Sequence, residues 1–234
     1  MSGFRYLLFD LDETLLNFSE AAHSAFELFF EKYLTSHGID KKTLYGHYHD
    51  ANMMVWEMFE QGQMSIDELK TKRFEWMYLH ADLTIPYDLL HEQSHFYLDG
   101  LIQSSELIAG AKQLLQSLSP LYHLNIITNG IQYVQHARLD RLELKPYFQN
   151  IFISETIGHS KPSPLFFDHV LKTLEGAQTG EILVIGDSLK ADIKGALQSG
   201  LKACWFNPGC MTNNTDIVPH FEIKSWEEFH KILQ

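Results

Sequence analysis

The chain has 234 residues, 45% of them hydrophobic and 13% aromatic, so it can bury a sizeable core as one large domain or two small ones. Its net charge of −12 argues against nucleic acid or an anionic membrane as the main partner. No window approaches the length of a membrane-spanning helix, and the N-terminal apolar run is too short for a signal sequence, so we expect a cytoplasmic protein.

The first predicted element is a short buried strand, "FRYLLF" at 4–9, which ends where acidic residues begin. A long stretch with helical periodicity follows, in four segments: 19–38, 51–62, 65–81 and 86–100. The Met and aromatic stripes of these segments are typical of a helix-bundle core.

From about residue 100 the pattern changes to strands alternating with helices. Strands are predicted at 123–127, 150–154, 181–186 and 201–206. Helices are predicted at 110–118 and 131–142, from Pro164, and at 189–199. This alternation predicts a parallel sheet with both faces covered. Cys204 and Cys210 have no partners at metal-ligand spacing, so we expect two idle thiols in a reducing compartment.

The fold class is therefore α/β, a three-layer Rossmann-like parallel sheet core with an inserted all-helical domain. We assign residues 1–16 and 100–234 to the core and residues 17–99 to the insertion. The first strand joins the same sheet as the later ones. Hinges are expected near 15–19 and 95–103.

Polar residues follow four successive strands, at the sheet edge where ligands bind in open parallel sheets. They are Asp10, Asp12 and Thr14 after the first strand, Thr128 and Asn129 after the second, Lys161 after the third, and Asp187, Ser188 and Asp192 after the fourth. Each has an ordinary explanation alone, as a turn, a surface lysine or a helix cap. Four such groups at the ends of four successive strands indicate one site.

Carboxylates that converge on one point need a cation, and oxygen ligands favour Mg²⁺, with Mn²⁺ as a substitute. The side chains of Asp10 and Asp187 and the backbone carbonyl of Asp12 are the candidate ligands. The candidate phosphate-binding residues are Thr128, Asn129 and Lys161. These local cations and donors explain how a chain of net charge −12 could bind an anionic phosphate.

Such a site suits phosphoryl transfer, where positioning and charge neutralisation do most of the work. One carboxylate can attack phosphorus to form an aspartyl-phosphate. Asp12, two residues after Asp10 on the same face of an extended chain, can protonate the leaving oxygen and then activate water.

The four motifs "DLDET", "IITNG", "SKP" and "IGDSLKAD" resemble the signatures of the haloacid-dehalogenase-like hydrolases, in order and over nearly the whole chain. The resemblance implies Asp10 as nucleophile, Asp12 as general acid/base, Thr128 and Lys161 as phosphate-binding residues and Asp187 as a Mg²⁺ ligand. It further implies supporting roles for Thr14, Ser188 and Asp192, and a C1-type cap at the helical insertion. Dehalogenases of the family lack the second aspartate, so Asp12 favours a phosphatase.

A narrower similarity links "ITNGIQYVQHARLDRLEL" and "GDSLKADIKGALQSGLKACWFNPG" to the bacterial pyrimidine 5'-nucleotidases that act on UMP, dUMP and dTMP. The substrate expected from it is a small phosphate monoester, a pyrimidine nucleotide. The cap carries no motif for the substrate. Trp56, Phe59, Trp76 and Tyr78 could stack on a base, although packing is the more common role of such residues.

Two other interpretations stay open. Within the same family the chain could be a sugar-phosphate or phosphoglycolate-type phosphatase, or a phosphomutase. It could also be a non-enzymatic helical module on an inactive core, which the intact set of motif residues argues against. The protein could be a monomer or a homodimer, and Glu13 has no assigned role.

Overall fold

The computed structural model describes residues 3–233, and the chain divides into two compact units. One unit combines the chain up to Phe18 with the chain from Glu106 onward, and the other is Ser19–Ser105. These boundaries fall close to the division expected at 16/17 and 99/100. That the second unit acts as a cap stays a prediction.

The helical unit is built from four α-helices, α1 (Phe18–Tyr33), α2 (Lys41–Glu60), α3 (Ile66–His80) and α4 (Tyr87–Ser104), and a 3₁₀ turn at Thr35–His37. The helix predicted at 51–62 begins earlier in the structure, at Lys41. Asp40 is its N-cap and accepts a hydrogen bond from Thr43 N at 2.8 Å. Aromatic rings fill the interior of this unit, and Phe29 stacks on Phe74 with ring centroids 4.8 Å apart.

The other unit contains a six-stranded parallel sheet, which confirms the predicted α/β class. Its strands are β1 (Tyr6–Phe9), β2 (His123–Thr128), β3 (Asn150–Ile153), β4 (Ile182–Gly186), β5 (Lys202–Phe206) and β6 (Phe221–Ile223), in the order β3-β2-β1-β4-β5-β6. β6 was absent from the sequence prediction because it has only three residues, one of them charged. β1 lies at the centre, between β2 and β4.

Helices cover both faces of the sheet: α5 (Ala111–Leu118), α6 (Gln132–Arg141), α7 (Ser154–Ile157), α8 (Pro164–Thr173), α9 (Lys194–Gln198) and α10 (Trp226–Ile232). Leu7 and Phe9 of β1 pack in one cluster with residues of α5 and α10, whereas Leu8 packs in another with α8 and α9. This alternation gives the three layers. The helix predicted at 189–199 is divided into a π-helical turn at Leu189–Ile193 and α9.

The chain leaves and re-enters this unit through a hydrogen-bonded junction. Asn17 N donates to Glu106 O at 3.0 Å, and Ile108 N donates to Leu15 O at 2.9 Å. Leu16 and Leu107 form an antiparallel bridge between these bonds. The two crossings are thereby held side by side within the α/β unit.

Cys204 and Cys210 are both free thiols, the first buried and the second exposed.

Across residues 3–233, the structure has no helix that combines the length and the apolar character needed to span a bilayer.

Candidate active site

The predicted site residues come together at the carboxyl edge of the sheet. Parallel pairing places Phe9 opposite Ile126 on one side and Ile185 on the other, so β1, β2 and β4 end within two residues of the same level. Asp10, directly after β1, donates its backbone N–H to Ile185 O at 2.8 Å. Thr128 ends β2, and Asp187 follows β4.

Lys161 is buried at the centre of this edge, with only 2% of its surface exposed. Its Nζ donates to Asp10 Oδ1 and to Asp192 Oδ1, both at 2.6 Å, and to Ile127 O at 3.0 Å. Burial alone would lower the pKa of this ammonium, but the two carboxylates outweigh burial and raise the pKa above its ordinary value. Lys161 is therefore a permanent cation with all three hydrogens engaged.

Asp10, Asp187 and Asp192 are three carboxyl groups beside one buried cation, so their full ionisation would leave negative charge that Lys161 does not balance. Burial, reinforced for each by neighbouring carboxylates, raises the pKa of Asp10 to about 7 and that of Asp187 to about 9. Thr14 lies between them, and its Oγ1 is 3.2 Å from Asp10 Oδ2 and 3.4 Å from Asp187 Oδ1. The same Oγ1 accepts a hydrogen bond from Asp187 N at 3.1 Å.

These carboxylates fit a hard divalent cation such as Mg²⁺. One oxygen each of Asp10, Asp187 and Asp192 lie within 4.8 Å of one another. Asp192 has both oxygens engaged, Oδ1 by Lys161 and Oδ2 by Ser188 N at 3.1 Å. Oxygen ligands of this kind suit Mg²⁺, and Asp192, bound by both Lys161 and the backbone of Ser188, is held in place beside Asp10 and Asp187.

The turn after β4 is shaped to bring Asp192 back to the sheet. Ser188 Oγ accepts a hydrogen bond from Ala191 N at 3.0 Å, which caps the π-helical turn. A Cβ added to Gly186 would lie 2.2 Å from Asp192 Oδ2, so only glycine leaves room for this carboxylate. π-Helical turns of this kind are frequent at functional sites.

Asp12 is held by two residues of α6. Arg138 Nη1 donates to Asp12 Oδ1 at 2.6 Å, and Gln135 Nε2 donates to Asp12 Oδ2 at 2.8 Å. Arg138 also donates to Gln135 Oε1 at 2.8 Å. Both α6 side chains are 1% exposed. The sequence interpretation missed this pair, and its signal was two long polar residues beside Val134 and Leu139 on the buried stripe of the helix.

Thr128 and Asn129 have different surroundings. Thr128 Oγ1 accepts hydrogen bonds from Gly130 N at 3.1 Å and Gln135 Nε2 at 2.9 Å, which leaves its hydroxyl hydrogen to donate to a ligand. The Asn129 side chain bonds both backbone groups of Lys161, at 2.8 and 2.9 Å, and so positions that lysine. A Cβ on Gly130 would lie 1.9 Å from Gln135 Nε2.

Glu13 makes the turn between Asp12 and Thr14. Its φ of +57° lies in the left-handed region, which residues other than glycine rarely adopt. Its N–H donates to Leu16 O at 2.8 Å. The structure therefore gives Glu13 a backbone role that redirects the chain between two site residues.

The four aromatic residues considered for base stacking lie in the helical unit. Tyr78 is buried and donates its hydroxyl hydrogen to Gln93 Oε1 at 2.6 Å. Trp56 and Phe59 meet edge to face at 5.7 Å, and Trp76 is half-buried on α3. The contacts of Tyr78 are those of a packed core residue.

The family model described as "Haloacid dehalogenase-like hydrolase" matches residues 7–206. The protein YfnB of Bacillus subtilis (strain 168) is 36% identical over 233 residues, which cover 100% of this chain and 97% of YfnB. A crystal structure of YfnB bound to magnesium matches with a TM-score of 0.86 and 35% identity, covering 99% of each chain.

Two further relatives carry a substrate class in their names. Pyrimidine 5'-nucleotidase PynA of Streptococcus pneumoniae (strain ATCC BAA-255 / R6) is 34% identical over 227 residues, covering 96% of this chain and 93% of PynA. Pyrimidine 5'-nucleotidase YjjG of Escherichia coli (strain K12) is 27% identical over 229 residues, covering 97% of each chain.

We expect stabilisation by Mg²⁺ to increase as the pH rises. Without a cation, folded Asp10 keeps its proton up to about pH 7, whereas the ordinary pKa is 3.8, so the folded state binds more protons across this window and loses stability as the pH rises. A cation displaces that proton. Its apparent affinity should therefore rise by up to about tenfold per pH unit for each proton released. Thermal unfolding with Mg²⁺ or with EDTA, across this pH range, measures the effect.

Asp187→Asn should abolish the stabilisation by Mg²⁺ in thermal unfolding. It should also stabilise the metal-free protein at the upper end of the pH range. Asp216→Asn, at an exposed aspartate outside the site, is the matched control and should behave like the wild type. If the stabilisation of the wild type by Mg²⁺ does not change with pH, the assignment of Asp10 and Asp187 as cation ligands is wrong.

Proposed function

This chain belongs to the haloacid dehalogenase-like hydrolase family and is a phosphoric monoester hydrolase, and we propose that it is a Mg²⁺-dependent 5'-nucleotidase for pyrimidine nucleoside monophosphates. The observation that carries the substrate class is the 34% identity to the pyrimidine 5'-nucleotidase PynA over 96% of this chain. The same name belongs to YjjG, which matches over nearly its full length.

In the proposed mechanism, Asp10 is the nucleophile. One of its oxygens attacks phosphorus, the bond between phosphorus and the ester oxygen breaks, and an aspartyl-phosphate forms. Lys161, 2.6 Å from Asp10 Oδ1, holds that carboxylate in place and balances the charge of the phosphoryl group. The hydroxyl hydrogen of Thr128 is available for a phosphoryl oxygen.

Asp12 serves both half-reactions. It gives a proton to the departing ester oxygen, then takes one from the water that attacks the phosphorus of the aspartyl-phosphate. That second attack releases inorganic phosphate and restores Asp10. Gln135 and Arg138 fix the direction of the Asp12 side chain through both of its oxygens.

Mg²⁺, held by Asp10, Asp187 and the backbone carbonyl of Asp12, would neutralise phosphate charge as a Lewis acid. Three carboxyl groups, those of Asp10, Asp187 and Asp192, lie close together beside the single positive charge of Lys161, and this excess of acidic groups supports a divalent cation there. Substitution by Mn²⁺, a cytoplasmic location and a monomeric or homodimeric state stay predictions.

A panel of phosphate esters tests the substrate class. We expect kcat/KM for UMP, dUMP and dTMP to exceed that for ribose 5-phosphate and phosphoglycolate by about tenfold or more, because the base adds binding energy. Equal rates for nucleotides and sugar phosphates would contradict the nucleotidase assignment. A phosphomutase would instead give an isomerised ester with little free phosphate.

Asp10→Asn should abolish turnover, because it removes the attacking oxygen. Asp12→Asn should slow turnover by a factor on the order of 10²–10⁴. It should also let the aspartyl-phosphate accumulate with an aryl phosphate, whose leaving group needs no proton. Mass spectrometry of acid-quenched protein detects the adduct. Wild-type activity in Asp10→Asn would refute this mechanism.

Arg138→Met should lower kcat by about 10- to 100-fold with little change in KM, because Asp12 loses its orientation while the phosphate site stays intact. Arg141→Met, at an exposed position of the same helix, is the control and should keep both constants. Steady-state kinetics with UMP measure the split. A rise in KM without a fall in kcat would contradict the positioning role.

A further inference from the structure

The backbone on both sides of the Asp187 side chain is held by residues from other parts of the α/β unit. Asp187 N donates to Thr14 Oγ1 at 3.1 Å. The carbonyl oxygen of Asp187 accepts a hydrogen bond from Nε1 of Trp205 at 2.7 Å. The next backbone N–H, that of Ser188, donates to Asp192 Oδ2 at 3.1 Å. The planar peptide unit after Asp187 is therefore bound at both its oxygen and its hydrogen, so its rotation would break two hydrogen bonds.

Trp205 reaches Asp187 because of the register of the sheet. β5 pairs in parallel with β4, and Trp205 lies opposite Gly186, the last residue of β4. The Trp205 side chain is 2% exposed and belongs to the buried cluster that also contains Leu8 and Ile193. A packed indole is rigid and has a single N–H donor, so the core of this unit fixes the position of the hydrogen bond.

A buried indole in this unit does not require such a bond. Trp226 of α10 is 3% exposed and stacks on Phe206 with ring centroids 4.2 Å apart. Among the residues that the structure describes, none makes a hydrogen bond with Nε1 of Trp226. The bond from Trp205 to Asp187 is thus a specific feature of the turn after β4, and it calls for a role of its own.

We propose that Trp205 is a positioning residue for the divalent cation, because its indole N–H holds Asp187 in the orientation in which the carboxylate binds Mg²⁺. This cation requires nearly ideal octahedral geometry, with its oxygen ligands at about 2.0–2.1 Å, so a displaced carboxylate binds it more weakly. A ligand that is fixed before the cation arrives also loses less conformational freedom on binding. The inference rests on the proposed function through the assignment of Asp187 as a Mg²⁺ ligand.

The test compares Mg²⁺ binding by Trp205→Phe and Trp226→Phe in the full chain. Isothermal titration calorimetry with MgCl₂ measures the dissociation constant of the cation. Trp205→Phe should raise this constant about three- to tenfold, the effect of losing one hydrogen bond. Trp226→Phe is the matched control, because it removes a similarly buried indole whose N–H has no acceptor. It should keep the wild-type dissociation constant.

Activity separates a positioning role from general damage to the core. With an aryl phosphate as substrate, the Mg²⁺ concentration that gives half of the maximal rate should rise in Trp205→Phe by the same factor as the dissociation constant. At saturating Mg²⁺, kcat and KM should return to the wild-type values, because the cation then holds Asp187 in place. An aryl phosphate makes this measurement independent of the nucleotide assignment.

NMR of the indole groups gives a second readout on the wild type itself. The chain has four tryptophans, so protein labelled with ¹⁵N gives four indole N–H signals. The signal of Trp205 is assigned by its loss in Trp205→Phe or, if that variant does not fold, by elimination with Trp56→Phe, Trp76→Phe and Trp226→Phe. It should shift when MgCl₂ is added, because its acceptor belongs to a ligand residue. The shift should be absent in Asp187→Asn.

Four outcomes would overturn the inference. The first is a wild-type dissociation constant for Mg²⁺ in Trp205→Phe. The second is an equal loss of affinity in Trp205→Phe and Trp226→Phe, which indicates a general loosening of the unit. The third is a loss of kcat in Trp205→Phe that saturating Mg²⁺ does not restore. The fourth is a Trp205 indole signal that does not move at MgCl₂ concentrations that saturate the wild type.

The same data separate this inference from the proposed function. A wild type that binds no Mg²⁺ refutes the proposed ligand set and, with it, the role of Trp205. A wild type that binds Mg²⁺, with an affinity that is unchanged in Trp205→Phe, refutes only the role of Trp205. The panel of phosphate esters tests the substrate class independently of both.

Discussion

The buried ammonium of Lys161 is the interaction on which the rest of the site depends. Its three hydrogens connect the residue after β1, the backbone of β2 and the π-helical turn after β4. Without this cation, Asp10 and Asp192 would repel each other in a region that excludes water. The sheet order puts β1 between β2 and β4, so Asp10 stands where groups from both neighbours can reach it. The topology thus assigns the proposed nucleophile its partners.

Buried cations paired with carboxylates also explain how a chain with a negative net charge could bind an anionic ligand. The net charge is −12, yet Arg138 and Lys161 of the α/β unit are each at most 2% exposed. Lys161 and Arg138 each bind a carboxylate of the "DLDET" segment. An acidic surface repels anionic ligands in general, so binding a phosphate ester requires positive groups fixed at the place of contact. Burial fixes these cations and keeps salt from screening them.

The sequence predicted the strands, their parallel pairing and the residues gathered at their ends, because these features depend on local pattern and on the geometry of parallel sheets. It did not predict the partners of Asp12. Gln135 and Arg138 appear in the sequence as polar residues on a helix, and only the tertiary structure makes them buried donors to Asp12. The N-cap of α2 at Asp40 and strand β6 were missed for a related reason. A single capping residue or a strand of three residues can be recognised only when its tertiary contacts are known.

The hydrogen-bonded junction at Asn17 and Glu106 has a consequence for how this architecture varies. Leu16 and Leu107 pair where the chain leaves and re-enters the α/β unit. The 87 residues between these points, Ser19–Ser105, therefore form a loop whose two ends are held together by the α/β unit. The entropy of closing a loop grows only with the logarithm of its length. Lengthening, shortening or exchanging the insertion therefore changes the conformational entropy of the core little, so selection can rebuild the helical unit while the four strand ends of the candidate site stay fixed.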